Sequence, residues 1–251
     1  MSSDDKKEPT RVLGREARVM RKRFYAAVSV AKDDAGFVVH LDERPVRTPR
    51  KLLLSVPVRP LADAIAAEWQ AQVTEIQPST MPLTTLACTA IDAVASDMAE
   101  VAGEIGRYAM SDLLCYRADA PAGLVDQQSA GWDPVLTWAG AELGVPFKRT
   151  TGLMPVEQSP AVEKAMLSTL APLEPLQLAA VSVLTTLTGS ALLTCGILRQ
   201  RLTLDAAWSL AHIDEDWQIA RWGTDAEAEA RRVNRLRTAK AAATMLDMLR
   251  G

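Results

Sequence analysis

FYAAVSVAKDDAGFVVHLDERPVRTP, residues 24–49, decides the fold class. Its β-branched and apolar residues come in short runs, AVSVA and FVVHL, with KDDAG between them. Runs of that kind around an Asp- and Gly-containing break predict a β-hairpin, with Gly36 at the position that needs positive φ. DERP makes the next reversal, and VRTP and KLLLSVP read as further short strands. Pro45, Pro49 and Pro57 confine them to edges or ends, because proline has no amide to give a ladder. A small antiparallel sheet is expected.

Beyond Pro60 the texture changes. LADAIAAEWQAQ places Leu61, Ile65 and Trp69 at helical spacing. The stretch from Pro78 to Ala118 reads as helical segments, the first opened by MPLT. WDPVLTWAGAELG predicts a further helix, with Pro134 in its first turn and Gly144 just past its end. Asp133 would then be an acid at a helix N-terminus, favoured by the dipole. Trp69, Trp132 and Trp138 are assigned to the core. After the looser VPFKRTTGLMPVEQSP, the chain looks helical to its C-terminus.

The fold class is therefore α+β: a small antiparallel-sheet N-terminal domain followed by an all-helical C-terminal domain. The expected division is a basic, flexible tail over 1–22, a sheet-containing domain over 23–100 and a helical domain over 101–251. LQLAAVSVLTTLTGSALLTCGIL, residues 176–198, has no charge and is long enough to span a bilayer. Its Gln, Gly, Ser and Thr content and the absence of aromatic residues at its ends favour a central core helix instead.

Composition narrows the function. The 251 residues are 48% apolar and 24% charged, with a net charge of -3. That balance suits a globular protein and offers nucleic acid no attractive field. Arg44 and Arg47 on the strand surface are expected to be solvated. Cys88, Cys115 and Cys195 are odd in number and lie among apolar or small residues, which predicts buried thiols in a reducing compartment. No phosphate-binding glycine loop, dinucleotide fingerprint or nucleophile elbow occurs, so no cofactor is implied. With only His40 and His212 and no close cysteine pair, a zinc site has no ligand set.

HIDEDWQIARWG, residues 212–223, sets three carboxylates between a histidine and two tryptophans. On a wheel of about 100° per residue, Leu204, Trp208, Ala211, Ile219 and Trp222 share one face. Ala206, Leu210, Ile213, Trp217 and Ala220 share the opposite one. Glu215 falls in the middle of the first face, and Asp214 and Asp216 lie at its flanks. The acids do not converge, which weakens metal and paired-acid chemistry. A carboxylate in an apolar stripe is costly unless paired, hydrogen-bonded or kept in water. Three readings stay open for Glu215: a core salt bridge to an arginine, a partner-facing acid ringed by aromatics, and a catalytic acid.

RFY, LDERPVRTP, AEWQAQ, MPLTTLACTAID, SDLLCYRA, WDPVLTWA, LTTLTGS and HIDEDWQIARWG, in this order, resemble the assembly chaperone of the F-type ATP synthase alpha subunit. The resemblance runs from about residue 23 into the 230s. Glu43 departs from the family's Asp-Gly-Arg-Pro turn, and a type I turn would accommodate it. The resemblance implies a non-enzymatic protein that binds the free alpha subunit, shields its beta-facing interface and releases it by exchange, without hydrolysing ATP. An acid in the middle of the helix matters in that family, and Glu215 matches it best, with Asp214 and Asp216 as neighbours. Trp208, Ile219 and Trp222 would supply contact area. The alternative is a hydrolase-like enzyme using residues 212–223 in a cleft. The N-terminal run is too rich in acids for a mitochondrial presequence, which places the chain in a bacterial cytoplasm.

Overall fold

The structure, a computed structural model, describes residues 21–152 and 154–250. The tail expected over residues 1–22 lies mostly outside them. Residues 21–23 pair with 74–76: the Arg23 amide donates to the Thr74 carbonyl and the Ile76 amide to the Arg21 carbonyl, at 2.9 and 2.8 Å.

Four strands form the N-terminal sheet: β1 (Val28–Asp33), β2 (Gly36–Leu41), β3 (Arg44–Pro45) and β4 (Ser55–Val56). Central β2 pairs antiparallel with β1 along its whole length, from Val28↔Leu41 to Asp33↔Gly36. Its other edge takes β3 at one end and β4 at the other. Gly36 has φ 136°, and a Cβ there would lie 2.6 Å from the Val56 carbonyl oxygen. Glycine is therefore required both by the backbone angle and by the closeness of β4.

The second reversal differs from the type I turn expected of DERP. Asp42 takes the positive φ, 55°, whereas type I needs negative values at both central positions. The Asp42 carboxylate holds this conformation by accepting from the amides of Ala26 and Ala27 at 3.0 and 2.9 Å. Those bonds hold its pKa below the ordinary carboxylate value.

Ten α-helices follow among the described residues: α1 (Arg59–Gln70), α2 (Pro82–Asp92), α3 (Met98–Met110), α4 (Ala122–Leu143), α5 (Pro160–Leu170), α6 (Pro175–Thr188), α7 (Ala191–Leu198), α8 (Leu204–Ala211), α9 (Ile213–Trp222) and α10 (Ala226–Leu249). Helix α1 lays Leu61, Ala62 and Ile65 on the sheet. Glu68, on the same helix, caps α2 by accepting from the amides of Leu83 and Thr84, both at 2.8 Å, and from the Thr84 hydroxyl. One continuous cluster of buried side chains runs from Tyr25 and Val39 through Val94, Ile105, Trp132 and Leu184 to Leu246. The last turns of α10 bury Ala239, Ala241, Ala242 and Ala243, whose small side chains fit its packing against α6 and α2.

Three expectations need correcting. The apolar stretch 176–198 is two helices: α6 ends at Gly189, φ 67°, and Ser190 caps α7 by accepting from the Leu193 amide. Most of its side chains are buried, and no helix among the described residues is long and apolar enough to cross a membrane. Next, α4 begins ten residues before WDP, so Pro134 lies inside it, on an exposed side where the missing amide is tolerated. Asp133 is thus a mid-helix residue, and it accepts from Arg117 and Arg149, each at 2.7 Å. Burial alone would raise its pKa, but the Arg149 bond and the Arg117 charge bring it below the ordinary value. Finally, the C-terminal part is not purely helical: β5 (Tyr116–Arg117) and β6 (Thr150–Thr151) form a two-stranded parallel sheet.

Asp112 anchors the turn before β5 to the start of α7. Fully buried, it accepts from the Leu114 and Leu192 amides and from the Ser190 hydroxyl. Burial pushes its pKa up to about 6 against the pull of those donors. The thiols of Cys88, Cys115 and Cys195 are free, and burial pushes them up to about 11, 12 and 11. Such thiols are protonated and inert at neutral pH.

Candidate partner-binding site

The helix expected across residues 204–222 breaks at His212, whose backbone sits at φ -115°, ψ 19°. The histidine itself explains the break. Its amide donates to the Ser209 carbonyl, three residues back, instead of continuing the ladder to Trp208. Its ring lies against Trp208, centroids 4.1 Å apart, and Nδ1 donates to the Trp208 carbonyl at 2.7 Å. The side chain thus takes the carbonyl that the helix gives up. The Leu210 carbonyl goes to the Trp132 indole N–H at 2.8 Å.

His212 is 4% exposed, and Arg235 Nη2 lies 3.3 Å from its Nε2. A guanidinium donates only, so Nε2 accepts and the imidazole is neutral with its proton on Nδ1. Burial lowers the His212 pKa, and Arg235 and Arg232 lower it further, outweighing the Trp208 carbonyl and Glu215. Glu215 Oε2 lies 3.8 Å from Nε2, so that approach is not a charged pair at neutral pH.

Two glycines of α4 let the corner sit close. A Cβ on Gly131 would lie 2.7 Å from Leu210 Cδ2, and one on Gly123 would lie 2.6 Å from Trp217 Cη2. Trp217 therefore fills a notch in α4, with the Arg221 guanidinium over its ring, 3.3 Å from the centroid. Asp214 accepts from Gln128 Nε2 at 2.7 Å, and buried Gln128 in turn accepts from the Ala118 amide. Asp216 pairs with Arg232 of α10. These three attachments fix the rotation of α9 about its axis.

Within α9, Trp217 and Ile213 turn toward α4, while Glu215, Ile219 and Trp222 share the other side of the helix. Trp222 is 76% exposed, Ile219 is half-buried, and no residue of α9 is fully buried. Glu215 has no arginine or lysine within ion-pair distance among the described residues. The core salt bridge to an arginine is thus not formed by Glu215; its neighbour Asp216 forms one. Trp208, at 6% exposure, lies beneath the corner rather than beside Trp222, because the wheel assumed a continuous helix. Reading along the sequence missed His212 as the hinge, Gln128 and Arg232 as anchors, and the glycine notches. The one local signal was Gly123 and Gly131 inside an otherwise helical run.

The acids stay apart: Asp214 faces Gln128, Asp216 faces Arg232, and Glu215, its side chain 38% exposed, lies over the neutral His212 ring without a cation. No group of side chains suited to hold a metal ion occurs among the described residues. Two shallow depressions of about 420 and 400 Å³ lie elsewhere, one lined by Glu142, Lys164 and Arg199, the other by Asp133, Phe147 and Arg149. Neither includes a residue of α9. What the corner offers chemically is a carboxylate beside exposed indole and aliphatic surface, suited to contact rather than to turnover.

Residues 22–140 match the model of the ATP12 chaperone protein family. The Schizosaccharomyces pombe protein atp12, mitochondrial, is 24% identical over 215 residues, spanning 81% of this chain and 74% of the yeast protein. The structure of Atp12 from Paracoccus denitrificans superposes with a TM-score of 0.84 at 43% identity, over 91% of this chain and 98% of that one. The structure of the Atu1473 protein from Agrobacterium tumefaciens gives 0.87 at 45% identity, over 91% of this chain and 86% of that one. The chain belongs to the ATP12 chaperone family, whose members are assembly chaperones and not enzymes.

Proposed function

We propose that this chaperone serves the F-type ATP synthase by binding its free alpha subunit and shielding the interface that the beta subunit later covers. Exchange with beta releases the client, with no nucleotide hydrolysed by the chaperone. The work is done in a bacterial cytoplasm, in keeping with relatives from Paracoccus and Agrobacterium. The observation that carries the reading is the outward side of α9: an acid without a cationic partner, flanked by half-buried Ile219 and by Trp222, 76% exposed.

The roles follow from the attachments. Trp222 and Ile219 supply apolar area, and Glu215 meets a basic residue of the client. A charge in an apolar contact gives orientation and specificity more than tightness, which suits a partner that must later let go. Asp214 and Asp216 act as positioning residues, since their carboxylates are engaged by Gln128 and Arg232. Trp208 supports the corner from below.

The test is light scattering of separately expressed alpha subunit with stoichiometric chaperone and no ATP. Suppressed aggregation is expected. Glu215→Lys and Trp222→Ala should keep the circular dichroism spectrum and lose affinity for alpha by roughly tenfold or more. An alpha subunit that aggregates equally with and without the chaperone, and forms no complex on gel filtration, would overturn the reading.

A further inference from the structure

Far along the chain from α9, the hairpin between β3 and β4 has a feature that its backbone does not explain. Arg47 and Leu53 form a bridge, the Thr48 amide donates to the Leu52 carbonyl, and the Lys51 amide donates to the Thr48 carbonyl. This is a three-residue loop whose last position lies in the left-handed region, a place usually given to glycine. Here Lys51 takes it, at φ 67°. Nothing loose accounts for that angle. Buried Thr48 donates its hydroxyl to Asp92 at the end of α2, and the Arg50 amide and guanidinium donate to the Asp92 carboxylate and carbonyl at 3.0 and 2.6 Å. The tip is a rigid mount.

The mount presents charge. From residue 44 to residue 62 the chain carries Arg44, Arg47, Arg50, Lys51 and Arg59 with no Asp or Glu, in a protein whose net charge is -3. Among the described residues only the Arg59 side chain pairs with a carboxylate, that of Asp63. Arg44, Arg47 and Lys51 are exposed and form no ion pair among the described residues, the Arg47 guanidinium donating only to the Lys51 carbonyl at 3.0 Å. Beside them Leu52 is 49% exposed. A backbone that favours glycine thus carries an L-residue whose ammonium is used by nothing inside the molecule.

We propose that this hairpin is a second client-binding element, in which Arg44, Arg47 and Lys51 grip an acidic segment of the alpha subunit and Leu52 meets an apolar side chain within it. The inference rests on the alpha-subunit reading above. An acidic polypeptide fits better than the other polyanions. Residues 44–62 contain no aromatic side chain on which bases could stack. One half-exposed leucine is too little apolar surface to seat in a bilayer. Charges at the rim of a protein contact act mainly on the rate and salt dependence of association.

The experiment titrates the alpha subunit with the full chain and its variants at low and high salt. Lys51→Gly relieves the backbone, so it should unfold at the same temperature or higher and yet bind about threefold more weakly at low salt. The double variant Arg44→Glu/Lys51→Glu should lose about tenfold at low salt and show a shallower salt dependence, whereas Leu52→Ser should lose affinity equally at both salts. Folded variants that bind alpha like the unmodified chain at every salt concentration would overturn the hairpin proposal and leave the alpha reading standing. An unmodified chain that does not bind alpha would overturn both. Phosphatidylserine vesicles that bind the unmodified chain but not the double variant, with alpha binding unchanged, would overturn the proposal and assign the hairpin to a membrane surface.

Discussion

The sheet around β2 and the corner between α8 and α9 each depend on a glycine with no room for a side chain, but the obstacle differs. At Gly36 a Cβ would meet the backbone carbonyl of Val56 on a paired strand. At Gly123 it would meet the far edge of the Trp217 ring on a helix with no fully buried residue. The first obstacle is part of a hydrogen-bonded ladder. The second is a side chain that helps to seat a surface element. One region is therefore fixed by its backbone, and the other is positioned by neighbours that can shift.

The largest expected effect breaks the sheet side of that contrast. Gly36→Val places a β-branched residue at φ 136° against a carbonyl that cannot retreat without unpairing β4. It should cost about 3 kcal/mol and lower the urea midpoint of the whole chain in one transition. A local loss with an unchanged global midpoint would mean that the sheet opens independently.

Gly123→Ala sharpens the other side. It sits in the first turn of α4, where alanine's helix preference gains little, and the new Cβ crowds Trp217. We expect about 1 kcal/mol of destabilisation. Tryptophan emission should change and affinity for the alpha subunit should fall, with the global unfolding transition nearly intact. Unchanged emission and binding would show that the notch does not position α9.

The smallest effect is a pH dependence confined to the corner. The folded His212 pKa lies below its ordinary value of 6.5. As pH falls through 6.5 the unfolded chain takes up a proton that the folded chain resists, so the His212 contribution is full above pH 6.5 and is lost below it. The stability difference between the unmodified chain and His212→Gln should therefore shrink from pH 7.5 to pH 5. Asp112, whose folded pKa is raised to about 6, acts in the opposite sense over part of this range but is common to both chains and cancels. A difference that stays constant with pH would place the His212 proton elsewhere.

The sheet was legible for a local reason. Alternating Val residues, Gly36 and the prolines specify strands and reversals over a few neighbouring positions, and the hairpin register follows from loop length. The Asp42 turn was misread because its angle is held by the amides of Ala26 and Ala27, sixteen and fifteen residues away. Pro134 misled for a related reason: proline marks a first turn by preference, yet an exposed interior site tolerates it. The start of α4 then went unseen.

By itself the sequence determined the α+β class, the β1–β2 hairpin with glycine at 36 and the helical nature of the rest. Those features depend on side-chain periodicity and on backbone angles set within one turn or one hairpin. The sequence also held the order of motifs by which the family is recognised. Only the tertiary structure decided that the 204–222 segment breaks at His212, that Trp208 is floor and Trp222 is surface, and that Glu215 is left without a cation while Asp214 and Asp216 are engaged. The break is made locally, by His212 against Ser209 and Trp208, while the placing of the acids and tryptophans turns on other helices: Gln128, Trp132, Arg232 and a missing Cβ on α4. A helical wheel knows one helix, and the choice among its acids was made by the other two that pack beside it.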